Sequence, residues 1–144
     1  MKQLTTNIEI NASANTVWNI LTDFDEYPQW NPFILSASGE VKKGVRLEVQ
    51  LQPPGGNIMT FRPTVLVAEP EREFRWLGQL FLPGIFNGEH YFQIEPLTRD
   101  RIRFIHGEIF SGILVPFLAK SLDTKTKTGF EKMNQALKAR AEIG

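Results

Sequence analysis

Two histidines and one glutamate, His90, His106 and Glu108, are the residues whose types and spacing best suit chemistry in this chain. The stretch Phe104-Ile105-His106-Gly107-Glu108-Ile109-Phe110-Ser111-Gly112 reads as a β-strand. Alternation along a strand sends Phe104, His106, Glu108 and Phe110 to one face and Ile105, Gly107 and Ile109 to the other. Residues 87–95 read as its hairpin partner, with His90, Phe92 and Ile94 on one face and a short turn at Thr98-Arg99-Asp100 between the two. If Phe92, Ile94, Ile102 and Phe104 all face inward, cross-strand partners carry numbers summing to an even value of about 198, which sets His90 opposite His106 or Glu108. Directly opposed side chains have Cβ atoms about 5 Å apart, so a hydrogen bond between His90 and Glu108 is within reach.

Three uses of this trio are open. A carboxylate beside an imidazole holds one tautomer and stabilises the charged form, making His90 or His106 a candidate general base for enolising a ketone, as a cyclase or dehydratase requires. Two imidazoles and a carboxylate are also the donors of non-haem iron sites, but no close-spaced ligand motif accompanies them, and neither a metal nor another cofactor is expected. The third use is a mutually satisfied polar pair that anchors a ligand or specifies the fold. His90, His106 and Glu108 are thus the candidate catalytic residues. No Gly-x-Ser-x-Gly elbow, phosphate-cradling glycine loop or ordered aspartate cluster points to serine nucleophiles or nucleotide hydrolysis.

The elements that must position these groups follow from periodicity. Residues 3–11 alternate as a first strand, Ser13 is a helix N-cap, and Val17, Ile20, Leu21 and Phe24 recur at helical spacing. Pro28 is expected to end a short helical turn over residues 25–27, and Pro32 to keep the next segment extended. Residues 35–40 form a weak strand, residues 45–51 alternate cleanly, and residues 59–68 form another strand in which Pro63 marks an edge or bulge. Phe74 and Trp76 share a face. The loop Leu80-Phe81-Leu82-Pro83-Gly84-Ile85-Phe86 carries large apolar residues around a Pro-Gly turn, where surface loops are polar, so it is expected to cover something. After Gly112 the chain is helical, with Leu118, Leu122, Phe130, Met133 and Leu137 as an apolar stripe. That stripe has a gap at Thr126 and Gly129, which leaves open either a small mobile gap or a cavity beneath the helix.

Composition bounds the rest. The 144 residues contain no cysteine, which removes disulfides and thiolate chemistry and fits a reducing compartment; a cytoplasmic location is expected. The 16 Lys and Arg balance 16 Asp and Glu, so no global field points to nucleic acid. No window is long and apolar enough to span a bilayer, and no stable membrane insertion is expected. Near the C-terminus Lys120, Lys125, Lys127, Lys132, Lys138 and Arg140 outnumber Asp123, Glu131 and Glu142, which reads as a solvated helix face or an anionic partner surface.

One strand, two short helices, a long antiparallel meander and a final long helix is the order of an α+β helix-grip fold, a curved sheet of about six or seven strands wrapped around the C-terminal helix. The stretch Val17-Trp18-x-x-Leu21-x-Asp23-Phe24-x-x-Tyr27-Pro28-x-Trp30-Asn31-Pro32-Phe33 resembles the helix-pair signature of the START-like, or SRPBCC, superfamily. Gly88-Glu89-His90-Tyr91-Phe92 and His106-Gly107-Glu108-x-Phe110-Ser111-Gly112 resemble its polyketide cyclase/dehydrase branch. The resemblance spans residues 1–144 as one ligand-binding domain and implies a deep apolar cavity between sheet and C-terminal helix. The inward faces agree: Met59, Phe61, Val65, Trp76, Phe92, Phe104 and Phe110 would line it, Phe81 and Phe86 would cover it, and Leu122 and Thr126 would face it from the helix. Trp30 and Asn31 would close one end or form a structural corner. The expected partner is a small hydrophobic or aromatic ligand such as a lipid, isoprenoid or polyketide. A cyclase/dehydratase-type enzyme and a co-chaperone-like interaction module stand beside that expectation.

Overall fold

The computed structural model describes every residue except 81, 83 and 144. The chain begins with β1 (Lys2–Ile10), whose even-numbered side chains turn inward and whose odd-numbered ones face solvent. Ser13 then caps α1 (Ala14–Thr22), its Oγ accepting from Thr16 N at 3.1 Å, and Val17, Trp18 and Leu21 bury the helix's inner face. A single 3-10 turn (Phe24–Glu26) leads into α2 (Tyr27–Trp30). Pro28 does not end a helical turn there, as the sequence led us to expect. It lies in the first turn of α2, where the missing N–H removes no intrahelical bond.

Among the described residues eight strands follow an antiparallel plan in two sheets. The larger runs β1-β8-β7-β6-β5, with β5 (Thr64–Glu69), β6 (Glu73–Leu80), β7 (Phe86–Thr98) and β8 (Arg101–Ser111). The smaller runs β2-β3-β4, with β2 (Ile34–Ser38), β3 (Glu48–Leu51) and β4 (Met59–Phe61). Two expected strands are each divided. The alternating run 45–51 changes partner midway: Val65 N donates to Val45 O (2.9 Å) and Leu47 N to Pro63 O (2.8 Å), tying its first half to β5, while Glu48–Leu51 pairs with β2 and β4. The run 59–68 breaks at Arg62 and Pro63, because proline has no N–H for a ladder. The seam between the sheets therefore runs through residues 44–47.

The C-terminal element spans residues 115–143 and forms the grip helix. It is not one regular helix: α3 (Val115–Ser121) passes through a π turn (Leu122–Thr126) into α4 (Lys127–Ile143). Threonine hydroxyls reach back to carbonyls before and within the wide turn, Thr124 Oγ1 to Lys120 O (2.9 Å) and Thr128 Oγ1 to Thr124 O (2.7 Å). Phe130, Met133 and Leu137 of α4 fill the concave side of the larger sheet. Gly129 is required where it stands, since a Cβ there would lie 2.5 Å from the Phe33 ring that packs against it. No helix among the described residues is long and apolar enough to cross a membrane.

Candidate functional site

The hairpin β7–β8 carries the three candidate residues, and its register places His90 opposite Glu108 and Phe92 opposite His106. His90 Nδ1 lies 3.1 Å from Glu108 Oε1, and His90 Nε2 lies 2.7 Å from His106 Nε2. His106 Nδ1 in turn meets Asn134 Oδ1 of α4 at 3.0 Å. Asn134 Nδ2 donates to Thr6 Oγ1 of β1 (2.8 Å), and Thr6 Oγ1 donates to the backbone O of His106 (2.8 Å). A five-residue polar chain, Glu108–His90–His106–Asn134–Thr6, thus crosses the interior from one strand to the helix and on to another strand.

The chain is buried at one end and open at the other. His106, His90 and Asn134 are 0%, 1% and 2% exposed, whereas the Glu108 side chain retains 16%. Aromatic faces flank both imidazoles: His106 stacks on Phe130 with ring centroids 4.1 Å apart, and His90 stacks on Trp76 at 5.2 Å. Burial pushes the His106 pKa well below the ordinary 6.5. The neighbouring His90 acts in the same direction, and the hydrogen bond to Asn134 opposes them. Each nitrogen of His90 is engaged within the chain, so the trio does not converge on a common point. Among the described residues no group of three or more His, Asp or Glu side chains is set to hold a metal ion.

At its open end the chain meets a cavity. A narrow recess of about 40 Å³, bordered by His90, Glu108, Trp76 and Gly88, shares Leu51, Phe61, Phe86 and Glu108 with a larger cavity of about 240 Å³ beneath the π turn. Met59, Phe61, Phe86, Phe110, Leu122 and Thr126, expected from the sequence as ligand contacts, all border the larger space, and Trp76 borders the recess. Glu108 Oε2 lies over Gly88, where a Cβ would come within 2.1 Å of it, so any larger residue there would push the carboxylate out of this position.

Other expected contacts lie elsewhere. Phe92 and Phe104 are fully buried and stack on each other at 5.9 Å in the packed core, because α4 covers that half of the hairpin. His106 stands behind His90 and does not reach the cavity. Asn31 is a structural corner, its Oδ1 accepting from Phe33 N (3.0 Å) and Ile34 N (2.8 Å), while Trp30 packs edge-on against Tyr27. Phe81 lies outside the described residues. Gly84 and Ile85 hold the segment that leads into the grip helix, since Ile113 N donates to Gly84 O (3.1 Å) and Leu114 N to Ile85 O (3.0 Å).

Thr6 and Asn134 were not anticipated, although both carried a signal. Thr6 has the same parity as the inward Leu4, Ile8 and Ile10, and Asn134 sits inside the Phe130–Met133–Leu137 stripe as a polar residue on an apolar face. Phe33, Leu51, Pro53, Leu118 and Ser121 also border the cavity without having been anticipated there. On the basic helix face, Lys138 pairs with Glu142 (2.6 Å) and Arg140 with Glu26 (3.4 Å).

Comparison with known proteins agrees with this architecture. Residues 1–142 match the family described as polyketide cyclase/dehydrase and lipid transport. A START superfamily protein from Mycobacterium smegmatis superposes with a TM-score of 0.75 at 25% identity, over 98% of this chain and 97% of that one. The Zhui aromatase/cyclase from Streptomyces sp. R1128 gives 0.78 at 16% identity over 98% and 93%. Norcoclaurine synthase from Thalictrum flavum, solved with a transition-state analogue, gives 0.74 at 14% over 99% and 94%. No curated protein matches the sequence.

Proposed function

We propose, because the chain belongs to the polyketide cyclase/dehydrase and lipid transport family, that the cavity beneath the π turn binds a small hydrophobic or aromatic ligand with one polar end. The observation that carries this reading is the composition of the walls. Phe33, Phe61, Phe86, Phe110 and Leu122 surround a space whose polar side chains are Glu108 on the sheet side and Ser121 and Thr126 on the helix side. Apolar walls with a few placed polar groups are the usual character of a ligand site. At about 240 Å³ the space lies just under the usual range of ~300–1,000 Å³, so it suits a compact ring system better than a long acyl chain. Native mass spectrometry of the purified protein tests the reading. A bound mass that disappears in Leu122→Trp, with the fold retained, is the expected result. A crystal structure in which side chains fill the interior solidly would sink it.

A second reading, a cyclase/dehydratase-type enzyme, draws support from the contact between His90 and Glu108 at the wall of the recess, where the pair would serve as acid and base toward a ketone bound there. The test is turnover of a panel of polyketones by wild type, His90→Ala, His106→Ala and Glu108→Gln. Rates unchanged in all three variants remove the acid/base role.

A further inference from the structure

The direction of every hydrogen bond in the polar chain can be assigned from its buried end. Thr6 has one hydroxyl hydrogen and donates it to His106 O, so toward Asn134 it can only accept. Asn134 therefore presents its amide N–H to Thr6 and its Oδ1 to His106 Nδ1, which must carry a hydrogen. Three links then remain to be filled: Asn134 to His106, His106 to His90, and His90 to Glu108. Each takes one proton. Two neutral imidazoles bring two protons and an ionised Glu108 brings none, so one link would set two lone pairs against each other. A third proton satisfies all three, whether it resides on Glu108, His90 or His106, and in each case the trio has zero net charge.

We infer that His106, His90 and Glu108 share a single extra proton, held by the orientation that Thr6 and Asn134 impose, and that Glu108 Oε2 is thereby left as an acceptor for a hydroxyl group on the ligand. Oε2 lies over Gly88 in the recess and has no protein hydrogen-bond donor among the described residues. The shared proton occupies the links on the other side of the carboxylate, so Oε2 has lone pairs to offer and no hydrogen. Phenols and alcohols on an apolar body fit this end, whereas a carboxylate or a bare ketone presents only lone pairs to it. The groups facing the trio are Leu4 and Thr6 from β1, Trp76 from β6, Leu51 and Phe61 from the small sheet, and Phe130 and Asn134 from α4. None of these is ionisable; one inward position along β1 from Leu4, Lys2 is charged, and it is paired with Asp123 of the π turn (2.7 Å).

The proton count does not depend on the ligand, whereas the hydroxyl preference rests on the binding reading above, and two measurements separate them. The first is thermal unfolding from pH 5.5 to 9 alongside histidine 15N spectra of the free protein. In the unfolded chain both histidines lose their charge as pH rises through about 6.5. The folded trio keeps its proton above that pH, so wild-type Tm should fall on the alkaline side. Glu108→Gln, whose amide N–H fills the third link without a charge, should stay flat there. A wild-type Tm flat above pH 7, with two neutral imidazoles and an ionised Glu108, overturns the count. The second is calorimetry with 2-naphthol and 2-methylnaphthalene. Wild type should bind 2-naphthol about tenfold more tightly, and Glu108→Leu should abolish the difference. Equal affinities overturn the hydroxyl preference alone; no binding of either probe overturns it together with the ligand reading.

Discussion

The two halves of the β7–β8 hairpin share strands, alternation and aromatic content, yet one is solid and the other encloses space. Toward the turn, Phe92, Ile94, Ile102 and Phe104 are 0–4% exposed and pack against Phe74 and the α4 stripe. Toward the grip helix, Phe86 and Phe110 stack on each other at 5.7 Å but face the cavity. The strands do not account for the difference; the helix opposite them does. Where it is regular, Phe130, Met133 and Leu137 fill the sheet's concavity, and where it widens, Leu122 and Thr126 leave it open. The polar chain lies along that boundary, with its buried end in the solid half and its carboxylate in the open one.

The contrast can be broken by truncating each half. Phe104→Ala should cost about 3–5 kcal/mol in urea unfolding, since nothing can collapse into the hole. Asn134→Leu, which leaves the His106 Nδ1–H without a buried acceptor, should cost about 1–3 kcal/mol by the same measurement. Phe110→Ala, beside space that already exists, should cost about 2 kcal/mol and enlarge the cavity; a loss equal to that of Phe104→Ala would erase the distinction between the halves. The smallest effect is a slope. His106 has its folded-state pKa lowered, so below about 6.5 the unfolded chain binds a proton that the folded imidazole refuses. Stability should therefore fall as pH drops below 6.5, by up to about 1.4 kcal/mol per pH unit for this one group. A Tm that does not fall between pH 6.5 and 5.5 would contradict it.

Much of the solid half and the sheet side of the site could be read from residue parity. Phe104, His106, Glu108 and Phe110 alternate with Ile105, Gly107 and Ile109, and parity narrows the partner of His90 to His106 or Glu108; the choice of Glu108 depends on a two-residue turn at Arg99 and Asp100 and a bulge between Pro96 and Thr98 that the sequence does not announce. What parity cannot reveal is which distant element arrives opposite. Thr6 reaches His106 only because β1 pairs with β8 across about a hundred residues, and Asn134 only because α4 crosses both strands. The same limit explains Phe92 and Phe104. Their inward direction was legible, but whether an inward face meets a helix or a void depends on the other wall. Residues 45–51 show a further limit, since clean alternation says nothing about a strand changing partners midway.

The π turn has a consequence in terms of chain length. A wide turn is equivalent to one residue inserted into a regular helix, and each residue of an α-helix rotates the next by about 100°. Removing one residue between Leu122 and Thr126 would leave a continuous helix but turn α3 by that angle relative to α4. Leu118 and Ser121 would swing away from the cavity while Phe130 and Asn134 kept their places against the histidines. The extra residue thus acts as a phase shifter, letting one helix serve the packed core with one face and the cavity wall with another.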